Sequence, residues 1–239
     1  MKSSSKIRFF SLRFITCMVL TLFLFSGGAA FGVETGNLEK GDLTPDGLTV
    51  IKASRNTETQ IKNGVVWSDY TKYQISPVDV SFRKNWKKDY NRDRRPLSAR
   101  VTDKDMARIR KDMAEIVYEE FNEALRKEGG LTRVDEADSN TLLFKPMVIN
   151  LDVYAPDVQH SSAITRNFMR QAGKATLFLE VHDAVSGEIL GRWVDTREDS
   201  DNGYFEWANR ITNMARVRVI VGGWARRLIE GLDDLRAVN

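Results

Sequence analysis

The chain holds 239 residues, with 36 Lys and Arg against 33 Asp and Glu, two His and one Cys. One cysteine excludes a disulfide framework, and 42% hydrophobic with 10% aromatic residues excludes collagen-like, low-complexity and multi-span membrane chains. The net charge of +3 is uneven: residues 1–32 hold Lys2, Lys6, Arg8, Arg13 and Cys17 with no acid, leaving 207 residues with 32 basic and 33 acidic groups and no thiol.

Residues 1–13 are basic and Ser-bearing, Phe14 to Phe25 is an apolar run, and Ser26 to Gly32 is rich in small residues. Basic, apolar, then small is the order of a secretory signal peptide, and the apolar part is short for a stable span. Ala30-Phe31-Gly32 places small side chains for a cut after Gly32, with a cut at Ala30 as the alternative. An uncleaved inner-membrane anchor through residues 14–25 is the other reading. Cys17 lies inside the run, so it is not positioned for lipidation. The expected compartment is therefore periplasmic, which a thiol-free mature chain suits.

Residues 33–64 read as a polar N-terminal tail, with a turn at Thr44-Pro45-Asp46-Gly47 and one extended piece, Leu48 to Lys52. A single domain over 65–239 follows. Tyr73 to Phe82 alternates as a strand weakened near Pro77. Arg83 to Arg100 reads as a loop with eight basic and two acidic residues. Thr102 with Asp105 three residues on signals a helix start. Met106, Ile109, Met113, Ile116, Val117, Phe121, Ala124 and Leu125 recur at helical spacing up to Gly129-Gly130.

Thr141 to Tyr154, Gly173 to Asp183 and Glu188 to Thr196 read as strands, the last two a hairpin across Ala184 to Gly187. Phe205 to Leu235 reads as a second long helix with its stripe at Ala208, Ile211, Ala215, Val219, Gly222, Ala225, Ile229 and Leu232. Gly222-Gly223 in that helix marks a kink or a close approach, which includes packing in a homo-oligomer. The expected fold is α+β: a two-layer sandwich with a mainly antiparallel sheet of about four strands and two long helices on one face.

From about Asp46 onward the chain resembles the bacterial envelope family catalogued as domain of unknown function 3313. The resemblance is carried by Tyr70 to Trp86, Asp105 to Met113, Glu180 to Glu188, Trp207 to Asn213 and Trp224-Ala225-Arg226. It implies an exported protein, frequently a lipoprotein, and brings no activity with it. This chain departs by lacking the lipid-attachment cysteine. The strand, hairpin and helix arrangement is also similar to small envelope-assembly domains that bind protein or glycan partners.

Catalytic signals are weak. His160 and His182 have no metal-ligand spacing, His160-Ser161-Ser162 lacks the surroundings of a hydrolase, and no GxSxG is present. An envelope hydrolase using His182 and Asp183, or His160, is the alternative to a non-enzymatic reading. Asp195, Glu198, Asp199, Asp201, Asn202 and Gly203 fail the calcium-loop spacing, because Arg197 stands at a ligand position. No cofactor or metal is expected.

The stronger signal is Arg83, Lys84, Lys87, Lys88, Arg92, Arg94 and Arg95 with Trp86 and Tyr90 interleaved. These nine are the candidate binding residues. Cations and stacking aromatics could serve nucleic acid, but export replaces it with anionic lipid, glycan or an acidic envelope protein. Arg166 and Arg170 form a second basic pair. The expected function is a periplasmic binding or envelope-maintenance module.

Overall fold

The computed structural model describes residues 38–94, 97–154, 156, 168–169, 173–198, 206–207 and 210–238. The expected leader, His160, Arg166, Arg170 and Arg95 lie outside the described residues. The compact unit begins at Asn37 and runs to Asn239.

The long helix α2 spans Asp103–Lys127. Its capping box is formed: Thr102 Oγ1 accepts from the Asp105 amide at 3.2 Å, and Asp105 accepts from the Thr102 amide at 3.0 Å. Met113, Ile116, Val117, Phe121, Ala124 and Leu125 are buried along one face. At its C-terminal end, a Cβ on Gly129 would stand 2.9 Å from Ile229 Cδ1, so glycine there lets the second long helix approach closely. That helix, α3, spans Arg210–Ala237 and packs along α2.

The sheet has eight strands and is mixed. Its strands are β1 (Thr49–Ala53), β2 (Thr57–Ile61), β3 (Lys72–Ile75), β4 (Asp79–Phe82), β5 (Thr132–Arg133), β6 (Thr141–Val153), β8 (Gly173–Asp183) and β9 (Ile189–Glu198). The order is β1-β2-β9-β8-β6-β3-β5, with β4 also on β6. A separate two-stranded ribbon joins β7 (Phe168–Met169) to β10 (Glu206–Trp207). The expectation of about four mainly antiparallel strands is therefore corrected. The β8–β9 hairpin is antiparallel, while β3, β4 and β5 all join by parallel pairing. Parallel neighbours need a long crossover, and α2 supplies it between β3–β4 and β6.

Two other sources enlarge the sheet. Residues 49–61, read from sequence as part of a polar tail, form the β1–β2 hairpin, and β2 pairs with β9 from Thr57↔Asp195 to Ile61↔Gly191. The expected strand Tyr73 to Phe82 is broken at Pro77 into β3 and β4, which lie end to end along one edge of β6. Pro146 in β6 stands beside that break. The Phe144 carbonyl accepts from Ser76, so by alternation the Pro146 nitrogen faces the same edge, where no ladder bond is lost.

Both long helices cover one face of the sheet. Leu142, Phe144, Val148, Leu177, Leu179 and Val181 meet Ile116, Phe121, Val221, Trp224 and Leu228 in the core. The α3 stripe holds at Ala225, Ile229 and Leu232, which are buried, but Val219 is 77% exposed, and Val221, Trp224 and Leu228 complete the buried face. Gly222 faces Glu120 of α2 at 3.6 Å from its would-be Cβ, an intramolecular contact, and α3 is one uninterrupted helix.

The opposite face carries a row of polar residues across four strands, Lys145, Glu180, Arg192 and Gln60 in mutual register. Arg192 donates to Glu180 at 2.9 Å and to Gln60 at 2.8 Å, and pairs with Asp46 of the N-terminal turn. Burial opposes its charge, yet the bonds to Asp46 and Glu180 outweigh burial and raise the Arg192 pKa.

At the β3–β6 edge, Asp138 accepts from Lys72, from Thr141 Oγ1 at 2.7 Å and from the Asn140 amide at 3.2 Å. These bonds, the one from Lys72 foremost, hold its carboxyl down at about 2 against an ordinary 3.8. A lowered acid stabilises fully above its unfolded pKa and loses that contribution as pH falls through the folded one. The gap in melting temperature between wild type and Asp138→Asn is therefore expected to stay constant above about pH 5 and close towards pH 2. Thermal melts followed by circular dichroism at stepped pH check this; a gap that persists at the acid end contradicts it.

Candidate functional site

The expected basic loop is largely ordered. Asn85, with φ 62° in the left-handed region that Asn tolerates, turns the chain into a short helix, α1, Trp86–Asn91. Within α1 the spacing of four aligns Trp86 and Tyr90, and Phe82 from the end of β4 and Arg94 beyond the helix extend them into one stack. Phe82 and Trp86 lie 4.4 Å apart, Trp86 and Tyr90 5.7 Å, and Arg94 Cζ lies 4.3 Å from the Tyr90 ring centre. Trp86 is 2% exposed and donates from Nε1 to the Val153 carbonyl at 3.2 Å. Asn91 clamps Val101 through both its backbone groups, at 2.9 and 2.8 Å.

Three of the six expected cations among the described residues, Arg83, Lys87 and Arg92, are ion-paired to neighbours. Arg83 bridges Asp152 at 2.8 Å and Asp89 at 2.9 Å, and these bonds, that to Asp89 first, raise its pKa. Asp89, lowered chiefly by Arg83, also binds Arg92 at 2.8 Å. Lys87 binds Asp103 at 2.7 Å. Lys84 and Lys88 are exposed, and their side chains make no hydrogen bond or ion pair among the described residues.

Beneath this helix lies an open groove of about 650 Å³, walled by β4, α1 and the first turns of α2. Arg83, Lys87, Lys88 and Arg110 line it, with Asp103 as the lone acid among its lining residues. Arg110 is exposed and, like Lys88, makes no ion pair among the described residues. Of the nine expected residues, Arg83, Trp86, Lys87 and Lys88 border this groove; Tyr90 and Arg94 belong to the stack, Arg92 to Asp89, Lys84 stands outside, and Arg95 is not among the described residues. Sequence reasoning missed Arg110, whose position on the polar face of α2 was the available signal. Chemically, Lys88 and Arg110 in the groove lining can each bind a phosphate or carboxylate by charge and hydrogen bonding.

The histidine alternative finds a different environment. His182 Nδ1 meets the Gly187 carbonyl at 3.0 Å and Nε2 meets Glu180 at 3.2 Å. Asp183 accepts from Ser186 and Val185 amides and from Tyr70, at 2.7, 3.1 and 3.0 Å. These bonds, the Ser186 amide first, lower the Asp183 pKa, while burial and Asp183 push Tyr70 up to about 12. Among the described residues no hydroxyl nucleophile contacts His182, and His182 and Asp183 do not bond each other. Of the acidic stretch, Asp195 binds Arg227 of α3 at 2.7 Å and Glu198 accepts from Tyr154 at 2.9 Å. Asp199, Asp201, Asn202 and Gly203 lie outside the described residues. No group of three or more metal-ligating side chains occurs among the described residues.

The fold and groove define an α+β protein with a shallow cationic surface. The chain belongs to the family described as Protein of unknown function (DUF3313), whose model matches residues 48–228. No curated protein matches it. Among solved structures it is similar to a PelC dodecamer from Paraburkholderia phytofirmans, at 8% identity over 69% of this chain and 96% of that one, with a TM-score of 0.32. A variant of the same PelC gives 6% identity over 70% and 95%, with a TM-score of 0.32. A PDZ domain protein from Parabacteroides distasonis gives 13% identity over 70% of this chain and 34% of that one, with a TM-score of 0.35.

Proposed function

We propose that this is a non-enzymatic, exported binding module that uses the α1–α2 groove to hold anionic groups of the cell envelope, lipid or glycan phosphates foremost. The observation that carries the reading is the charge inventory of the groove: four cations to one acid, two of those cations uncommitted. Export rests on the basic, apolar and small-residue order of residues 1–32, with periplasmic release after cleavage. Long, solvated cations contribute about 1 kcal/mol each near an anionic surface and are screened by salt.

The purified chain is expected to co-sediment with phosphatidylglycerol vesicles and not with phosphatidylcholine vesicles. Reversing both charges, Lys88→Glu with Arg110→Glu, is expected to weaken that binding by tenfold or more, at about 1 kcal/mol per charge. Reversal of Lys52 and Arg226, exposed and away from the groove, serves as the control. Equal losses in both double variants, or none in either, would sink the groove assignment.

A further inference from the structure

A second cavity, of about 90 Å³, lies inside the sandwich between α2, α3 and the ends of β6 and β8. Its origin is visible along the core-facing positions of β8, which read Gly173, Ala175, Leu177, Leu179 and Val181. The side chains shrink towards the start of the strand, so the two helices span a space that nothing from the sheet fills. Its walls include Ile109, Met113 and Ile116 of α2 and Val217, Val221 and Trp224 of α3.

The shape of this space limits its contents. Its lining runs from Arg108 to Ile116 on α2 and from Met214 to Trp224 on α3. At 1.5 Å per residue these are walls of about 12 and 15 Å. A small volume spread over such a length is a slot. A bulky ring system does not fit a slot, whereas an extended methylene chain does. Water is disfavoured, because a buried water needs two to four polar partners and the walls are almost wholly apolar. Met113 and Met214 add unbranched, adaptable side chains to the lining.

The lining also includes Arg108, Asp112, Asp152 and Lys174, and one buried polar group in the wall lacks a partner. Trp224 is 1% exposed, and its Nε1 hydrogen has no acceptor among the described residues. Buried indole N–H groups ordinarily find a partner. A ligand with both a slender apolar body and a carbonyl oxygen answers both features. We infer that the slot between α2 and α3 binds a single unbranched acyl chain, with Trp224 in its wall. This site is distinct from the cationic groove and does not depend on it.

The test is a titration of the full chain with octanoate, followed by the Trp224 indole proton resonance, which is assigned by its loss in Trp224→Phe. Octanoate is expected to move that resonance saturably, while cyclohexanecarboxylate, with the same head and a compact ring, leaves it in place. Ala175→Leu, which adds bulk to the β8 wall of the slot, is expected to raise the thermal midpoint and to weaken octanoate binding by about tenfold or more. Should that variant not fold, Val217→Phe fills the slot from α3 and is read in the same way. No response to octanoate, an equal response to the ring acid, or undiminished binding after filling overturns the inference.

Discussion

Trp86→Ala is expected to cost about 3–5 kcal/mol of folding stability, whereas Lys88→Ala and Arg110→Ala stay within about 0.5 kcal/mol of wild type. The contrast follows from where these side chains lie. Trp86 is 2% exposed, sandwiched between Phe82 and Tyr90, and bonded to the end of β6 through Val153. Removing it opens a cavity beneath α1 and frees the strand end that Arg83 also ties down through Asp152. Lys88 and Arg110 touch nothing comparable. Urea unfolding of the three variants, paired with the vesicle assay, separates the roles. Trp86→Phe is expected to keep most stability and all binding. A mild Trp86→Ala that nevertheless abolishes binding would make the ring a ligand contact and reverse the assignment.

The distinction was only half legible in the sequence. The concentration of cations at 83–100 is local information, and so is the spacing of four that links Phe82, Trp86, Tyr90 and Arg94. Only Trp86 and Tyr90 of these lie in α1, and a helix of six residues gives too few turns for a periodic signal. The committed partners are only partly local: Asp89 lies within the loop and Asp103 just beyond it, but Asp152 comes from β6, 69 residues after Arg83. The same division holds for the fold. The α2 cap, its stripe and the β8–β9 hairpin are made by residues within a few positions of each other, and the sequence reading found them. β2 reads Thr-Glu-Thr-Gln-Ile and has no apolar alternation of its own; it is a strand because β9 offers it a free edge. Nor does any local feature of β3 and β4 specify parallel pairing, which depends on where α2 returns the chain. In α3, Arg-Val-Arg-Val-Ile-Val from Arg216 to Val221 is apolar on several sides, so two stripes compete and the packed one is chosen by α2 and the sheet.

Arg192→Met is expected to destabilise by about 2–3 kcal/mol, and more than Asp46→Asn, which should cost about 1 kcal/mol or less. The arginine side chain is 16% exposed and its guanidinium meets Glu180, Gln60 and Asp46 while covering the Phe178 ring at 5.4 Å. Methionine keeps the cover over Phe178 but leaves Glu180 with His182 as its remaining partner among the described residues. Asp46 is 38% exposed, so water replaces much of what it loses. Burial would raise the Asp46 pKa, yet the bonds from Arg192 and Thr44 outweigh it and lower the value. Its share of stability is therefore present above the ordinary 3.8 and fades as pH falls below it. Because Glu180 is the group stranded by the loss of Arg192, Glu180→Gln should recover part of the Arg192→Met penalty. A double-mutant cycle by urea unfolding at neutral pH measures that coupling. Strict additivity would mean that Arg192 and Glu180 do not act as a unit in the row across β6, β8, β9 and β2.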